Sequence, residues 1–509
     1  MLRELTILRE PELIFRYGQR AIDPHAGLAL FGPFDADFPA HKRSLPYALI
    51  GTPEGIDGFR KFATLLRGPV VSRTRASSPT LWPAFPGFEA AFCTDLPAEP
   101  SRSTALERTR LEAAANLPDP NQRAYAVVDE YVQAIQRMAG KESPFEFIVC
   151  VVPDMVHANC RPRSQVRESK SEPLSKSQRK ERQLQRKART RGVRDITDLS
   201  APVDPYRFSP DFRRQIKARA MQFEPPIQIV RESTLRLFDE RKFGERAISP
   251  LSDRAWNLAT TLYYKGGGRP WKLSTARDGV CYVGVVFHQV PGAPDNRYAA
   301  CAAQMFLDDG DGVVLRGDSG HWYTPATRQF HLSKAAAEAL LRKVLAEYGD
   351  GGGKPLQEIF LHYRAGINDE EFSGFKAACP DGVRLVAVKV RTQREHLRLY
   401  REGSRPVLRG SFMKTGREVG YLWGSGFKPW LRAYDGGETP APVEIRIQHG
   451  DADLHQVASD ILGLTKLNYN ECKLGDAQPV TIGFSEAVGE ILVSNLGVRN
   501  PRTRFKYYI

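Results

Sequence analysis

Short apolar runs alternate with stretches of helical spacing along most of this chain, and the alternation predicts a mixed α/β protein. Tyr47-Ala48-Leu49-Ile50-Gly51-Thr52 reads as a strand, and Pro53 to Leu66 then repeats Ile56, Phe59, Phe62 and Leu66 at helical spacing. Ala124 to Met138 gathers Val127, Val128, Tyr131, Ile135 and Met138 on one helical side, and Phe145 to Val152 is apolar enough for a central strand. Gly27 to Pro33 reads as a further strand ending in a turn. Later in the chain, Pro210 to Gln222 is predicted as a basic helix followed by the strand Ile227 to Val230. Val280 to Phe287, Tyr298 to Leu307, Gln357 to Tyr363, Val383 to Val390 and Val419 to Leu422 read as strands. Ser333 to Tyr348 and Leu454 to Leu464 read as helices. No repeat with a period of about 20 to 50 residues interrupts this order.

One stretch breaks the pattern. Arg161 to Arg194 holds thirteen Lys or Arg residues against three Glu and almost nothing apolar, so it has no means of packing a core. It reads as a solvated insertion or as a basic arm beside a nucleic-acid channel. The whole chain of 509 residues carries 73 Lys plus Arg against 59 acidic residues, a net charge of +14. That excess favours a polyanionic partner, because phosphate contacts release counterions. The length predicts several domains. Seven scattered cysteines without a C-x-x-C pair point to a reducing compartment, here the cytoplasm, rather than to a disulfide framework or zinc site. The N-terminal residues do not read as a signal peptide, and no apolar run is long enough for a membrane span.

The candidate chemistry is that of holding a phosphate. Arg213 and Lys217 stand at i, i+4 on the basic helix, so they share a face. Gln228 follows on the next strand, and Lys265 precedes Gly266-Gly267-Gly268. Several donors with net positive charge are what a terminal phosphate requires. The glycines are not a Walker A loop, since the lysine comes before them, and they read equally as a turn. Asp308-Asp309-Gly310-Asp311-Gly312 lacks the spacing of an EF-hand and reads as a turn. The carboxylates of His449-Gly450-Asp451-Ala452-Asp453-Leu454-His455 suit a turn and the start of the following helix better than a metal.

Tyr264-Lys265-Gly266-Gly267 with Pro270-Trp271-Lys272-Leu273, then Leu464 to Asn470, then Pro479-Val480-Thr481-Ile482, resemble the PIWI part of Argonaute proteins. The length resembles a short prokaryotic member built of MID and PIWI domains only. The resemblance implies an α/β fold, a Rossmann-like MID domain followed by an RNase H-like PIWI domain. Its boundaries would be 1–160 for the first part of MID, 161–200 for the basic insertion, 201–250 for the MID phosphate pocket and 251–509 for PIWI. It puts the guide 5′-phosphate on Arg213, Lys217, Gln228 and Lys265. The terminal carboxylate of Ile509 would join through Mg²⁺, and Lys466 and Asn468 would touch the guide backbone. Cutting members hold two metals with four acidic or histidine ligands. Here Val286 and Ala365 stand at two of those positions, with Glu486 at another, so slicing is expected to be lost. The implied role is guide-RNA-directed recognition of complementary single-stranded DNA in defence against plasmids and phage. The response would come from an APAZ-domain partner carrying a TIR, Sir2 or nuclease domain, TIR first among them. Two alternatives stand beside this reading: an active nuclease assembled from Asp309, Asp318 and Glu486, and a guide-free nucleic-acid binder.

Overall fold

The computed structural model describes residues 4–72, 79–139, 145–162, 164, 166, 205, 208–238, 248–289, 299–306, 312–350, 354–393, 397–494 and 502–509. Most of the basic insertion, and most of the Asp308 to Gly312 turn, lie outside them. The strands of four or more residues, in chain order, are β1 (Glu4–Ile7), β2 (Tyr47–Gly51), β3 (Arg102–Ala105), β4 (Phe147–Val152) and β5 (Ile227–Arg231). They continue with β6 (Val280–Gln289), β7 (Ala299–Phe306), β8 (Gly312–Gly320), β9 (Glu358–Tyr363) and β10 (Arg384–Thr392). The last three are β11 (Ser411–Lys414), β12 (Val419–Leu422) and β13 (Val443–His449).

These strands build two sheets. The first is a four-stranded parallel sheet in the order β3-β2-β4-β5, with every neighbour parallel, the Rossmann-like arrangement expected. Its two central strands, β2 and β4, are buried on both faces, which explains their continuous apolar runs. The second has nine strands in the order β1-β11-β12-β13-β10-β9-β6-β7-β8. β6, β7 and β8 form an antiparallel meander, and β9 lies parallel to both β6 and β10. This is the RNase H-like sheet.

Among the helices are α1 (Pro24–Phe31), α2 (Pro53–Leu66), α3 (Pro120–Ala139), α4 (Phe212–Ala220) and α5 (Leu251–Lys265). They continue with α6 (Lys334–Asp350), α7 (Asp369–Ala378), α8 (Leu454–Leu464), α9 (Val480–Gly483) and α10 (Ser485–Ser494). α3 buries Val127, Val128, Tyr131, Ile135 and Met138, the same side its spacing marked. A continuous apolar core runs from Leu49, Phe59 and Phe62 beside the first sheet, through Trp256 and Leu262 of α5, to Val286, Val388 and Ile461 around the second. The two halves are therefore joined by apolar burial, the main favourable term in folding.

Two expectations are corrected here. Gly27 to Pro33 is not a strand: residues Pro24–Phe31 form α1, with Asp23 as N-cap and Pro24 in the first turn. The N-terminal segment also does not belong wholly to the first domain. Glu4–Ile7 extends the second sheet by pairing antiparallel with β11, Leu5 opposite Met413. Among the described residues, no helix is long and apolar enough to cross a membrane.

Candidate phosphate-binding site

The site begins with the capping of α4. The Asp211 side chain accepts from the Arg214 amide at 3.0 Å, which sets the start of the helix and so the phase of its faces. Phe212, Ile216 and Ala220 turn into the core beneath the first sheet. Arg213 and Lys217 turn the other way, into a cavity of about 240 Å³ that Gln228 of β5 and Ile509 also line. Arg214 is held aside by an ion pair to Glu490 of α10.

Lys265, the last residue of α5, closes the group from behind. Its ammonium donates to the main-chain oxygens of Lys506 and Ile509, and Lys217 Nζ donates to the Tyr508 main-chain oxygen at 3.1 Å. The final residues of the chain thus bridge the two lysines. Lys217 is 3% exposed and Lys265 0%. Burial drives the pKa of both well below the ordinary lysine value. The neighbouring charges of Lys265 and Arg213 add to this for Lys217, and those of Arg213 and Lys506 for Lys265. Arg213 is lowered in the same direction, chiefly by burial. Among the described residues, none of the three pairs with a side-chain carboxylate within ion-pair distance. Two like charges about 4 Å apart repel by roughly 4 kcal/mol at an effective dielectric near 20, and an anion among them turns that repulsion into attraction.

The structure therefore brings Arg213, Lys217 and Gln228 around one cavity and puts Lys265 one hydrogen bond behind it. It adds three residues that the sequence reading passed over: His157, Arg161 and Arg231 line the same cavity and a larger neighbouring one of about 860 Å³. Burial, with Arg231 and Arg161 alongside, lowers the pKa of His157. The available signal was Arg231, three residues beyond Gln228 on the same short strand.

Lys466 is a correction. Its ammonium donates to Pro11 O at 2.5 Å and Ile22 O at 2.9 Å and pairs with Glu10 at 3.0 Å, and its side chain is wholly buried. Those acceptors leave it no face toward a nucleic acid; it ties the N-terminal segment to the end of α8. Asn468 does border a cleft of about 770 Å³, where its amide donates to Asp476 at 2.9 Å.

Val286 lies on β6 opposite Ala302, two residues past the last β6–β9 pair, Gly284 with His362. Ala365 follows β9 by two residues. Both positions thus fall at the same end of neighbouring parallel strands. Beside them His362 is buried, its Nδ1 2.9 Å from Thr481 Oγ1, and burial pushes its pKa down to about 3. The side chains of Asp309, Asp318 and Glu486 lie outside the described residues. Among those described, no group of three His, Cys, Asp or Glu residues is placed to hold a metal ion. Asp453 caps α8, as its place before that helix predicted.

No family model matches this chain, and no curated protein does. Solved structures match along nearly its whole length, Argonautes among them. One is the Clostridium butyricum Argonaute bound to a guide DNA and a 19-mer target DNA. It has a TM-score of 0.60 at 13% identity, over 97% of this chain and 53% of that one. Another is the Aquifex aeolicus Argonaute, with a TM-score of 0.57 at 14% identity, over 100% of this chain and 57% of that one. The chain spans about half the length of the Argonautes it matches. Its fold is Argonaute-like, with the mixed α/β architecture of the MID and PIWI domains.

Proposed function

We propose that this protein binds the 5′-phosphate of a guide strand, an RNA, and uses it to recognise complementary single-stranded DNA without cutting it. The observation that carries the reading is the convergence of Arg213, Lys217 and Gln228 on one cavity, with Lys265 behind them. Clustered buried basic side chains without a side-chain carboxylate partner favour an anion, and a terminal phosphate offers two charges and several acceptor oxygens. The Clostridium butyricum protein, bound to guide and target, supports the same use of a similar fold. Sequence would then be read by base pairing, with the protein holding backbone and shape.

Absence of cleavage is part of the proposal. Two-metal hydrolysis needs clustered carboxylates, and Val286 and Ala365 supply none. Activity is then expected in a partner chain, an APAZ-domain effector of TIR, Sir2 or nuclease type, in defence against plasmids and phage. Mg²⁺ fits the pocket only in company with a phosphate. Ile509 and the Gln228 amide oxygen offer hard oxygen donors on the same cavity, while the one lining side-chain carboxylate, Asp211, is committed to capping α4. When bound, the ion would offset the charge of the phosphate.

The test compares 5′-phosphorylated and 5′-hydroxyl RNA of one sequence, with and without EDTA. A strong preference for the phosphate supports the pocket, and equal affinity supports the guide-free reading instead. Cleavage of a matched target in Mg²⁺ or Mn²⁺ that Glu486→Ala abolishes would restore the nuclease reading.

A further inference from the structure

The two edges of the second sheet end differently. At one, β8 is covered by the last residues of the chain: Val314 N–H donates to Thr503 O at 2.6 Å, and Val313 stands across from Arg504. At the other, β1 is the outermost strand and pairs with β11 alone. Leu8 N–H donates to Gly410 O at 2.8 Å, on the β11 side. Main-chain groups of successive residues in an antiparallel strand point to opposite sides. Glu4 and Thr6 therefore face β11 as well, and Leu5 and Ile7 turn their N–H and C=O groups outward. Among the described residues no strand pairs with that side of β1.

The same two residues carry exposed apolar side chains, Leu5 at 53% and Ile7 at 63%. Leu5 lies opposite Met413 and Ile7 opposite Ser411, so each shares a face with its partner. Over β11 and β12 that face is covered, because Leu397, Leu399 and Val407 pack with Met413, Tyr421 and Trp423. Leu5 and Ile7 lie beyond this cover. Proteins blunt an open edge with charge, proline or a bulge, and a bare apolar one is a template for another strand. In sequence the pair is flanked at the same spacing by Arg3 and Arg9, which gives Arg-x-Leu-x-Ile-x-Arg. Arg9 keeps 85% of its side chain exposed beside Glu12, its ion-pair partner at 3.2 Å.

This pattern selects the occupant. Two copies of β1 paired about a two-fold axis can set Leu5 against Ile7, but the same register sets Arg9 against Arg3. The registers on either side set Leu5 against Arg9 or Ile7 against Arg3. Like charges directly opposite destabilise a strand pair, so a second copy is disfavoured. The basic stretch Arg161 to Arg194 has no two aliphatic residues at i, i+2 and shares the sign of the flanks. We propose that the open edge of β1 docks an extended segment of a partner protein as a further strand of the sheet. The segment carries two apolar residues at i, i+2 to cover Leu5 and Ile7, with a carboxylate on either side to answer the arginines. Its main chain takes up the outward N–H and C=O groups, and its side chains supply the specificity. The inference extends the partner chain expected above, but it rests on the sheet edge and not on the phosphate pocket.

The test uses the full chain and labelled strand peptides: Glu-Thr-Val-Thr-Val-Thr-Glu, a counterpart with both Glu as Lys, and one with both Val as Ser. The Glu-flanked peptide should bind at least about tenfold more tightly than either control. It should also slow hydrogen exchange in the segment that holds Leu5 and Ile7. Leu5→Ser with Ile7→Ser should abolish binding and leave the melting temperature unchanged, since both side chains are exposed. Ile7→Pro removes an outward N–H and spares the β11 ladder, so it should weaken binding as well. Equal binding of the three peptides, no binding of the Glu-flanked one, or binding that neither variant alters overturns the proposal. So does a dimer of the full chain that the double serine variant dissolves, because the edge then belongs to a second copy. Affinity for 5′-phosphorylated RNA should be the same in wild type and variants; a loss there would give the edge to nucleic acid instead. A missing preference for the 5′-phosphate would sink the pocket and not the edge, because the peptide assay contains no RNA.

Discussion

In the pocket beside the first sheet, Arg213, Lys217 and Lys265 are buried together with no side-chain carboxylate within ion-pair distance among the described residues, whereas at the strand ends of the second sheet Val286 and Ala365 are apolar where the resemblance implies acids. The first region keeps a repulsion that weakens the ligand-free fold. At the second, a cluster of carboxylates without metal would repel in the same way, and the proposed non-cleaving function needs none there. Lys466 marks the ordinary third case, a buried cation whose partners Glu10, Pro11 and Ile22 are all internal.

The comparison breaks most directly at the lysines. Charge-assisted hydrogen bonds contribute about 1.5–3 kcal/mol each, so Lys217→Ala with Lys265→Ala should weaken 5′-phosphorylated RNA by roughly 10²- to 10⁴-fold. Binding of 5′-hydroxyl RNA should hardly change. Anisotropy titrations of both RNAs decide it, and an unchanged ratio of affinities refutes the pocket. Lys466→Met should act on stability instead, costing about 3–5 kcal/mol by leaving Glu10 and two carbonyls short of a partner. Urea unfolding measures this, and a stable variant with weakened RNA binding would return Lys466 to the nucleic-acid face.

Val286→Asp should destabilise by about 2–4 kcal/mol, because it buries an unpaired carboxylate among apolar neighbours. Melting curves with and without Mn²⁺ are the check; rescue by the metal in Val286→Asp with Ala365→Asp would reveal a latent cation site. A smaller effect is expected from pH. Lys217 and Lys265 bind fewer protons folded than unfolded between their depressed values and the ordinary 10.5. The stability of the ligand-free protein should therefore rise with pH across that window, with a shallower slope in Lys217→Met. A phosphate restores the protons, so RNA affinity should fall over the same window, and calorimetry in buffers of different ionisation enthalpy should register proton uptake. The smallest change should follow deletion of residues 170–191: unchanged melting, and a reduced salt slope of RNA binding. An unfolded product would make the segment structural.

Much of this was legible along the chain. α2 and α8 were read to the residue, and the i, i+4 pair Arg213 and Lys217 faces one cavity as its spacing required. α1 was misread because its leucines do not share a side: Leu28 is buried and Leu30 is 73% exposed. The local sign of a helix was its start, Asp23-Pro24, rather than its period. The pairing of β1 with β11 joins residues some four hundred positions apart and left no local trace.

Periodicity, capping residues and turns act over a few residues, and so the chain by itself determined its alternating α/β elements and the basic helix that carries the pocket. Which charges answer which was decided only by the tertiary structure. Lys265 and Lys466 look alike in sequence, each a lysine at a helix end. One is held by the last residues of the chain beside a cavity; the other is enclosed by the first residues within the core. Burial and Coulomb interaction depend on distance in space, and residues far apart along the chain set that distance.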